Sequence, residues 1–152
     1  MAKRNIVKMG DPLLRKKSRV VDVYDAKLHQ LIDDMVDTLH AVGGLGLAAP
    51  QVGVLNRVCI VEYDGVLYEL VNPVLKKSRG KCVDNEGCLS VVGYRGLVER
   101  PEEIDIEYFD RFGVKVKLHA EGYFARVFLH EMDHLDGILF PDKMIKKLIE
   151  TE

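Results

Sequence analysis

The segment His130-Glu131-Met132-Asp133-His134 constrains this chain more than any other stretch. Residues four apart on a helix share a face, so both imidazoles can be offered to one metal ion, and Glu131, one step round the helix, can touch a water on that ion. On the same helical wheel Phe124, Phe128, Met132 and Leu135 lie opposite the histidines. A helix of this kind needs a core against its back and the rest of a site against its front. Two unrelated histidines on a surface helix, the bland alternative, leave that apolar back unexplained.

Two imidazoles are too few, because a catalytic centre usually takes three protein ligands and keeps one position open. A downstream continuation of the His-x-x-Gly-x-x-His type finds Gly137 in place but Phe140 where the third histidine should stand. Glutamates further on, Glu150 and Glu152, sit at the end of the sequence. The third ligand is therefore sought upstream. Cys88, in Glu86-Gly87-Cys88-Leu89-Ser90, is the best candidate, since a thiolate binds metal well and Gly87 permits close backbone approach. Cys59 sits in the apolar run Val58-Cys59-Ile60-Val61 and reads as core, and Cys82 follows a basic segment. His29, His40 and His119 read as structural or surface residues. Three sparse cysteines make no disulfide framework and suit a reducing compartment.

Around that helix the chain changes period. Apolar residues at Leu28, Leu31, Ile32, Met35, Val36 and Leu39 predict an amphipathic helix over 25–42, stopped by Gly43-Gly44. Segments 58–63, 66–71, 104–109 and 114–120 are β-branched or aromatic and are punctuated by Asp64-Gly65 and Phe112-Gly113, which predicts antiparallel strands and hairpins. The basic cluster at 76–81 reads as a solvated loop. Helical spacing returns over 123–136 and ends at Gly137, and a short polar helix is expected to close the chain. Helix, strands and helix without βαβ alternation predict an α+β fold, mainly antiparallel sheet packed around a central metal-binding helix.

The 152 residues suit one domain spanning 1–152. With 22 basic and 24 acidic residues the net charge is −2, which disfavours direct DNA or RNA binding. No apolar run approaches the roughly 18 residues of a membrane span, so a cytoplasmic protein with no membrane association is expected.

Taken in order, Gly44-Leu45-Gly46-Leu47-Ala48-Ala49-Pro50-Gln51, then Glu86-Gly87-Cys88-Leu89-Ser90, then His130-Glu131-Met132-Asp133-His134 resemble the motif set of the peptide deformylase family. The likeness extends from Asp11-Pro12-Leu13-Leu14-Arg15 through Gly122 to the last motif. It departs at Leu129, where relatives often carry Gln, and at Val92, where Pro is frequent; neither position is a ligand.

The resemblance implies a metal-dependent hydrolase that removes the formyl group from N-formylmethionyl nascent polypeptides and releases formate, by attack of a metal-bound water. It implies Cys88, His130 and His134 as ligands of one divalent ion per chain. Thiolate plus two imidazoles suits zinc, iron, cobalt or nickel; the family points to ferrous iron first and zinc second. Glu131 would carry the proton, and the Gln51 side-chain amide with the Leu89 backbone N–H would donate to the oxyanion. Substrate would lie extended along Gly44, Leu45 and Gly46 like an added strand. Tyr123, Arg126 and Val127, on the His130 face, are expected to line the pocket for the first side chain, with the Arg126 charge reaching outward. Glu86 and Arg100 are expected to pair and orient the cysteine loop. Transient association with the ribosome follows from such a substrate. A metallopeptidase cutting internal bonds and a purely structural metal module are the competing readings. The failed downstream ligands disfavour the first, and the presence of both Glu131 and Gln51 disfavours the second.

Overall fold

In the computed structural model, which describes residues 3–145 and 149–150, the strand Val58–Tyr63 lies between two helices. Its continuous apolar run has that cause: alternate side chains go to opposite faces, and both faces are covered. Val58 and Ile60 pack with Leu28, Leu31, Ile32, Met35 and Leu39 of helix α1 (Ala26–Val42). Cys59 and Val61 pack with Ala125, Phe128 and Leu135 in the cluster built on helix α2 (Gly122–His134). Asp25 caps α1, its carboxylate accepting from the Leu28 N–H at 3.1 Å, a contact worth about 1 kcal/mol. The helix ends at Gly43, whose N–H returns to the Leu39 carbonyl.

The strands are β1 (Gly46–Ala48), β2 (Val58–Tyr63), β3 (Val66–Arg79), β4 (Cys82–Cys88), β5 (Val91–Arg100), β6 (Glu103–Phe109), β7 (Lys115–Glu121) and β8 (Ile149–Glu150). One sheet runs β1-β2-β3-β6-β7 and the other β4-β5-β8, and the paired strands are antiparallel. The β2–β3 hairpin turns at Asp64-Gly65, where both residues have positive φ, the requirement of the tight two-residue turn that their identities predict. The fold is α+β, with α2 buried between the large sheet and the β4–β5 hairpin.

Several boundaries differ from the sequence expectation. The 76–81 segment is solvated, but most of it is strand: Lys77 pairs with Asp105 and Arg79 with Glu103. Opposite charges across the two strands stabilise a ribbon that has no apolar alternation to reveal it. Strands β1, β4 and β5 carry no clean alternation either and were not anticipated. Helix α2 covers 122–134 rather than 123–136. Of the polar helix expected at the end of the chain, 146–148 and 151–152 lie outside the described residues, and Ile149–Glu150 pairs as a strand with Tyr94 and Arg95.

Candidate metal centre

The β4–β5 hairpin and α2 bring the predicted ligands together. Cys88 Sγ lies 3.4 Å from His134 Nε2, and the ligand atoms of Cys88, His130 and His134 are all within 4.8 Å of one another. An ion bound tetrahedrally at 2.0–2.3 Å holds its ligand atoms roughly 3.4–3.7 Å apart, so the donor set and its spacing fit a zinc- or iron-sized ion. Burial pushes the His134 pKa well below the ordinary imidazole value, whereas at His130 burial is outweighed by hydrogen bonds to Cys88 and Glu86, which push it up to about 10.

Glu131 shares the helix with both histidines and is buried, and burial pushes its carboxyl up to about 7, the range of an effective proton carrier. Its Oε1 has no hydrogen-bond partner among the described residues. The same carboxylate explains a glycine: a Cβ built on Gly46 would lie 2.7 Å from Glu131 Cγ and Oε2 and 2.9 Å from Cδ. Gly46 stands in β1 with no left-handed backbone, so its missing side chain is needed for space.

Gln51, in the 3-10 turn Ala49–Val52, is 1% exposed, whereas a polar residue after a proline is ordinarily solvated. Its Oε1 accepts from the Ala48 N–H at 2.9 Å, and its Nε2 donates to Ser90 Oγ at 3.1 Å and lies 3.6 Å from Cys88 Sγ. Leu89 follows Cys88 on the wall of a cavity of about 430 Å³. Gly44, Leu45 and Gly46 border that cavity on one side, with Tyr123, Arg126 and Val127 on another. Among the described residues β1 is an edge strand, paired with β2 on one side only.

Arg126 corrects an expectation. It borders the cavity, but its charge does not reach outward: the residue is 2% exposed, and its Nη1 donates to Glu86 Oε2 at 2.6 Å and to the Val98 carbonyl at 2.9 Å. Its Nη2 donates to the Cys82 carbonyl at 2.8 Å. Glu86 also accepts from Arg100 Nε and Nη2 at 2.5 and 2.8 Å, and His130 Nδ1 lies 2.8 Å from Glu86 Oε1. Burial alone would raise the Glu86 pKa, but the hydrogen bonds from Arg100 and His130 outweigh it and hold the carboxyl far below its usual range. Glu86 therefore orients an imidazole as well as pairing with Arg100. Arg100 further donates to Asp133 Oδ2 at 2.8 Å. Sequence reasoning missed Asp133, Ser90 and the partner of Arg126. One signal was available: Arg126 lies one turn before His130 on a helix with an apolar back, where a guanidinium needs an acidic partner.

The remaining histidines stand elsewhere. His29 Nε2 is 2.9 Å from the Arg111 carbonyl and His40 pairs with Glu62. His119 contacts Asp105 and Glu121 on the solvent face of β6–β7.

Comparison with known proteins gives one consistent result. Residues 3–149 match the family described as polypeptide deformylase. The chain is 51% identical to the peptide deformylase of Caldicellulosiruptor bescii over 152 residues, covering 100% of this chain and 92% of that one. It is 46% identical to that of Acetivibrio thermocellus, covering 100% and 89%. Among solved structures, the Thermotoga maritima peptide deformylase superposes with a TM-score of 0.94 at 35% identity, covering 96% of this chain and 100% of the other. The Synechococcus elongatus peptide deformylase in complex with actinonin gives 0.91 at 36% identity, covering 94% and 79%.

Proposed function

The chain belongs to the peptide deformylase family, metal-dependent hydrolases that remove the N-formyl group from nascent peptides, and we propose that Cys88, His130 and His134 hold its metal. The observation that carries this assignment is the convergence of one thiol and two imidazoles within 4.8 Å beside a buried carboxylate. One divalent ion binds per chain, ferrous iron in first place and zinc in second, and residues 1–152 act as a single catalytic domain. When bound, the ion supplies Lewis acidity, bringing the pKa of water at the site towards 7.

The chain's own residues do the rest. Glu131 takes the proton of the attacking water and passes it to the departing amine, a task suited to a carboxyl whose pKa burial has raised to about 7. The Gln51 Nε2–H and the Leu89 N–H donate to the formyl oxygen as it gains charge. Glu86 holds His130 in place by accepting from Nδ1, and Arg100 holds Glu86. The free edge of β1 supports a substrate extended along Gly44, Leu45 and Gly46, its main chain bonding as a further strand. Tyr123 and Val127 form a wall for the first side chain, with Arg126 contributing its stem alone. The protein acts in the cytoplasm on N-formylmethionyl chains emerging from ribosomes, with which it associates transiently.

Formate release from formyl-Met-Ala-Ser by anaerobically prepared enzyme tests the reading. Turnover of that peptide, and no cleavage of its unformylated counterpart, is expected; cleavage of internal peptide bonds instead would refute it.

A further inference from the structure

We propose that Ser90 is a positioning residue for Gln51, fixing which end of its side-chain amide faces the reacting carbonyl; this rests on the oxyanion reading of Gln51 given above. A primary amide presents a donor at one end and an acceptor at the other, and only its partners decide the orientation. The Ala48 N–H can only donate, so it takes Oε1, at 2.9 Å. The Ser90 hydroxyl carries one proton and gives it to the Val7 carbonyl at 2.5 Å. Towards Gln51 it therefore offers lone pairs alone, and it accepts an Nε2 proton at 3.1 Å. Reversing the amide would set donor against donor at Ala48 and acceptor against acceptor at Ser90.

One Nε2 proton is thus committed to Ser90. The other points to the side of the metal ligands, where Nε2 donates to Cys88 Sγ at 3.6 Å. Ala48, Gln51 and Ser90 are each at most 1% exposed, so no solvent competes for these bonds. The backbone secures both partners to one segment: the Val7 N–H donates to the Gln51 carbonyl and the Met9 N–H to the Ser90 carbonyl, each at 2.7 Å. Residues 7–9 thereby hold the Gln51 turn and the Ser90 end of the hairpin at a fixed separation, and the direction of the Ser90 hydroxyl is set by the same segment.

A double-mutant cycle tests this on the metal-loaded enzyme with formyl-Met-Ala-Ser. Ser90→Ala should lower kcat about tenfold, the effect of one buried neutral hydrogen bond, with KM within about twofold and metal content unchanged. In a Gln51→Ala background the same substitution should change kcat by less than about twofold, because the amide it orients is gone. A tenfold loss that persists in that background, or no loss in the wild-type background, overturns the Ser90 role while leaving the Gln51 role intact. A Gln51→Ala enzyme with wild-type kcat overturns both. The wild-type protein gives a check free of folding effects: by NMR the Gln51 side-chain amide should exchange slowly with solvent, and rapid exchange of both protons would contradict the arrangement.

Discussion

Gly46→Ala tests how closely Glu131, the proposed proton carrier, is held. The added methyl carbon would stand 2.7 Å from Glu131 Cγ and Oε2, against an ordinary carbon contact of about 3.5–4.0 Å, so one side must withdraw by roughly 0.8 Å or more. The strand is the harder side to move: Gly46 is registered against Val61, and the neighbouring Leu47 and Ala48 are fully buried. The displacement therefore falls on the Glu131 carboxylate. Misplacement of a reacting group by about 1 Å can cost on the order of 10²-fold in rate, about 2.7 kcal/mol of barrier. Gly46→Ala should lose about 100-fold in kcat on formyl-Met-Ala-Ser while keeping its metal by elemental analysis and its KM within about threefold, since alanine retains the backbone groups a substrate strand would use. Overpacking should also cost about 1–3 kcal/mol of stability, visible as a lower Tm. Gly44→Ala is the control: its Cβ would meet only the far ends of two leucine side chains, Leu89 Cδ1 at 3.2 Å, Leu39 Cδ1 at 3.3 Å and Leu89 Cγ at 3.6 Å, and kcat should fall less than about fivefold. A Gly46→Ala enzyme with kcat within threefold of wild type would refute the spatial argument, as would a loss confined to KM, which would leave Gly46 a substrate contact alone.

Cys88→Ala should release the metal while Cys59→Ala retains it, as elemental analysis would report; the reverse result would transfer the ligand role. Glu131→Gln should keep metal and fold but lose roughly 10²-fold or more in turnover, because the amide cannot accept a proton; more than about a tenth of wild-type activity would contradict a base at this position. Arg126→Met should destabilise the fold by about 3–5 kcal/mol in denaturant titrations, since it strips a buried carboxylate of one cation, and a loss below 1 kcal/mol would mean that Glu86 does not depend on it. The hydrogen bonds that His119 makes to Asp105 and then Glu121 raise its pKa above the ordinary 6.5, so their stabilising effect is complete below that value and is lost as pH rises through the raised one. NMR titration should place the His119 midpoint above 6.5 and bring it down in Asp105→Asn; an unchanged midpoint would assign the shift to other neighbours.

The sequence was most legible where one period dominates. Helix α1 and the 58–63 strand emerge at nearly their observed bounds because burial is one-sided in the first and complete in the second. The β4–β5 hairpin was hidden, although it carries Cys88, because its burial does not follow polarity: Glu86 and Arg100 are inside, while Val83 and Val92 are exposed. Buried charges read as surface until their partners are known, and those partners lie far away in sequence. That is why Arg126 was assigned an outward charge and Asp133 no role. The closeness of Gly46 to Glu131 was equally hidden, because a missing side chain gives no hint of which neighbour requires the space. The motif residues themselves, Cys88, His130, Glu131, His134 and Gln51, were recognised from type and order, and the cluster they form in space is consistent with that selection.

The β6–β7 hairpin has a consequence for how the chain closes around the candidate centre. The bonds from Arg126 to the Cys82 carbonyl and from His130 to Glu86 each span 44 positions, a long closure for an unfolded chain. Between them, β6 and β7 zip locally from a turn at which Asp110 accepts from the Phe112 and Val114 N–H groups. Once zipped, Glu103 faces Glu121, and the Gly122 N–H reaches the Glu102 carbonyl at 2.8 Å, so the end of β5 and the start of α2 become neighbours. Once β4 and β5 have also paired, setting Cys82 opposite Arg100, the remaining closure shrinks from roughly forty residues to a handful, about three halvings, or roughly 2 kcal/mol of chain entropy. Local pairing at a turn remote from Cys88 and His130 thus shortens the closure that brings the two segments together.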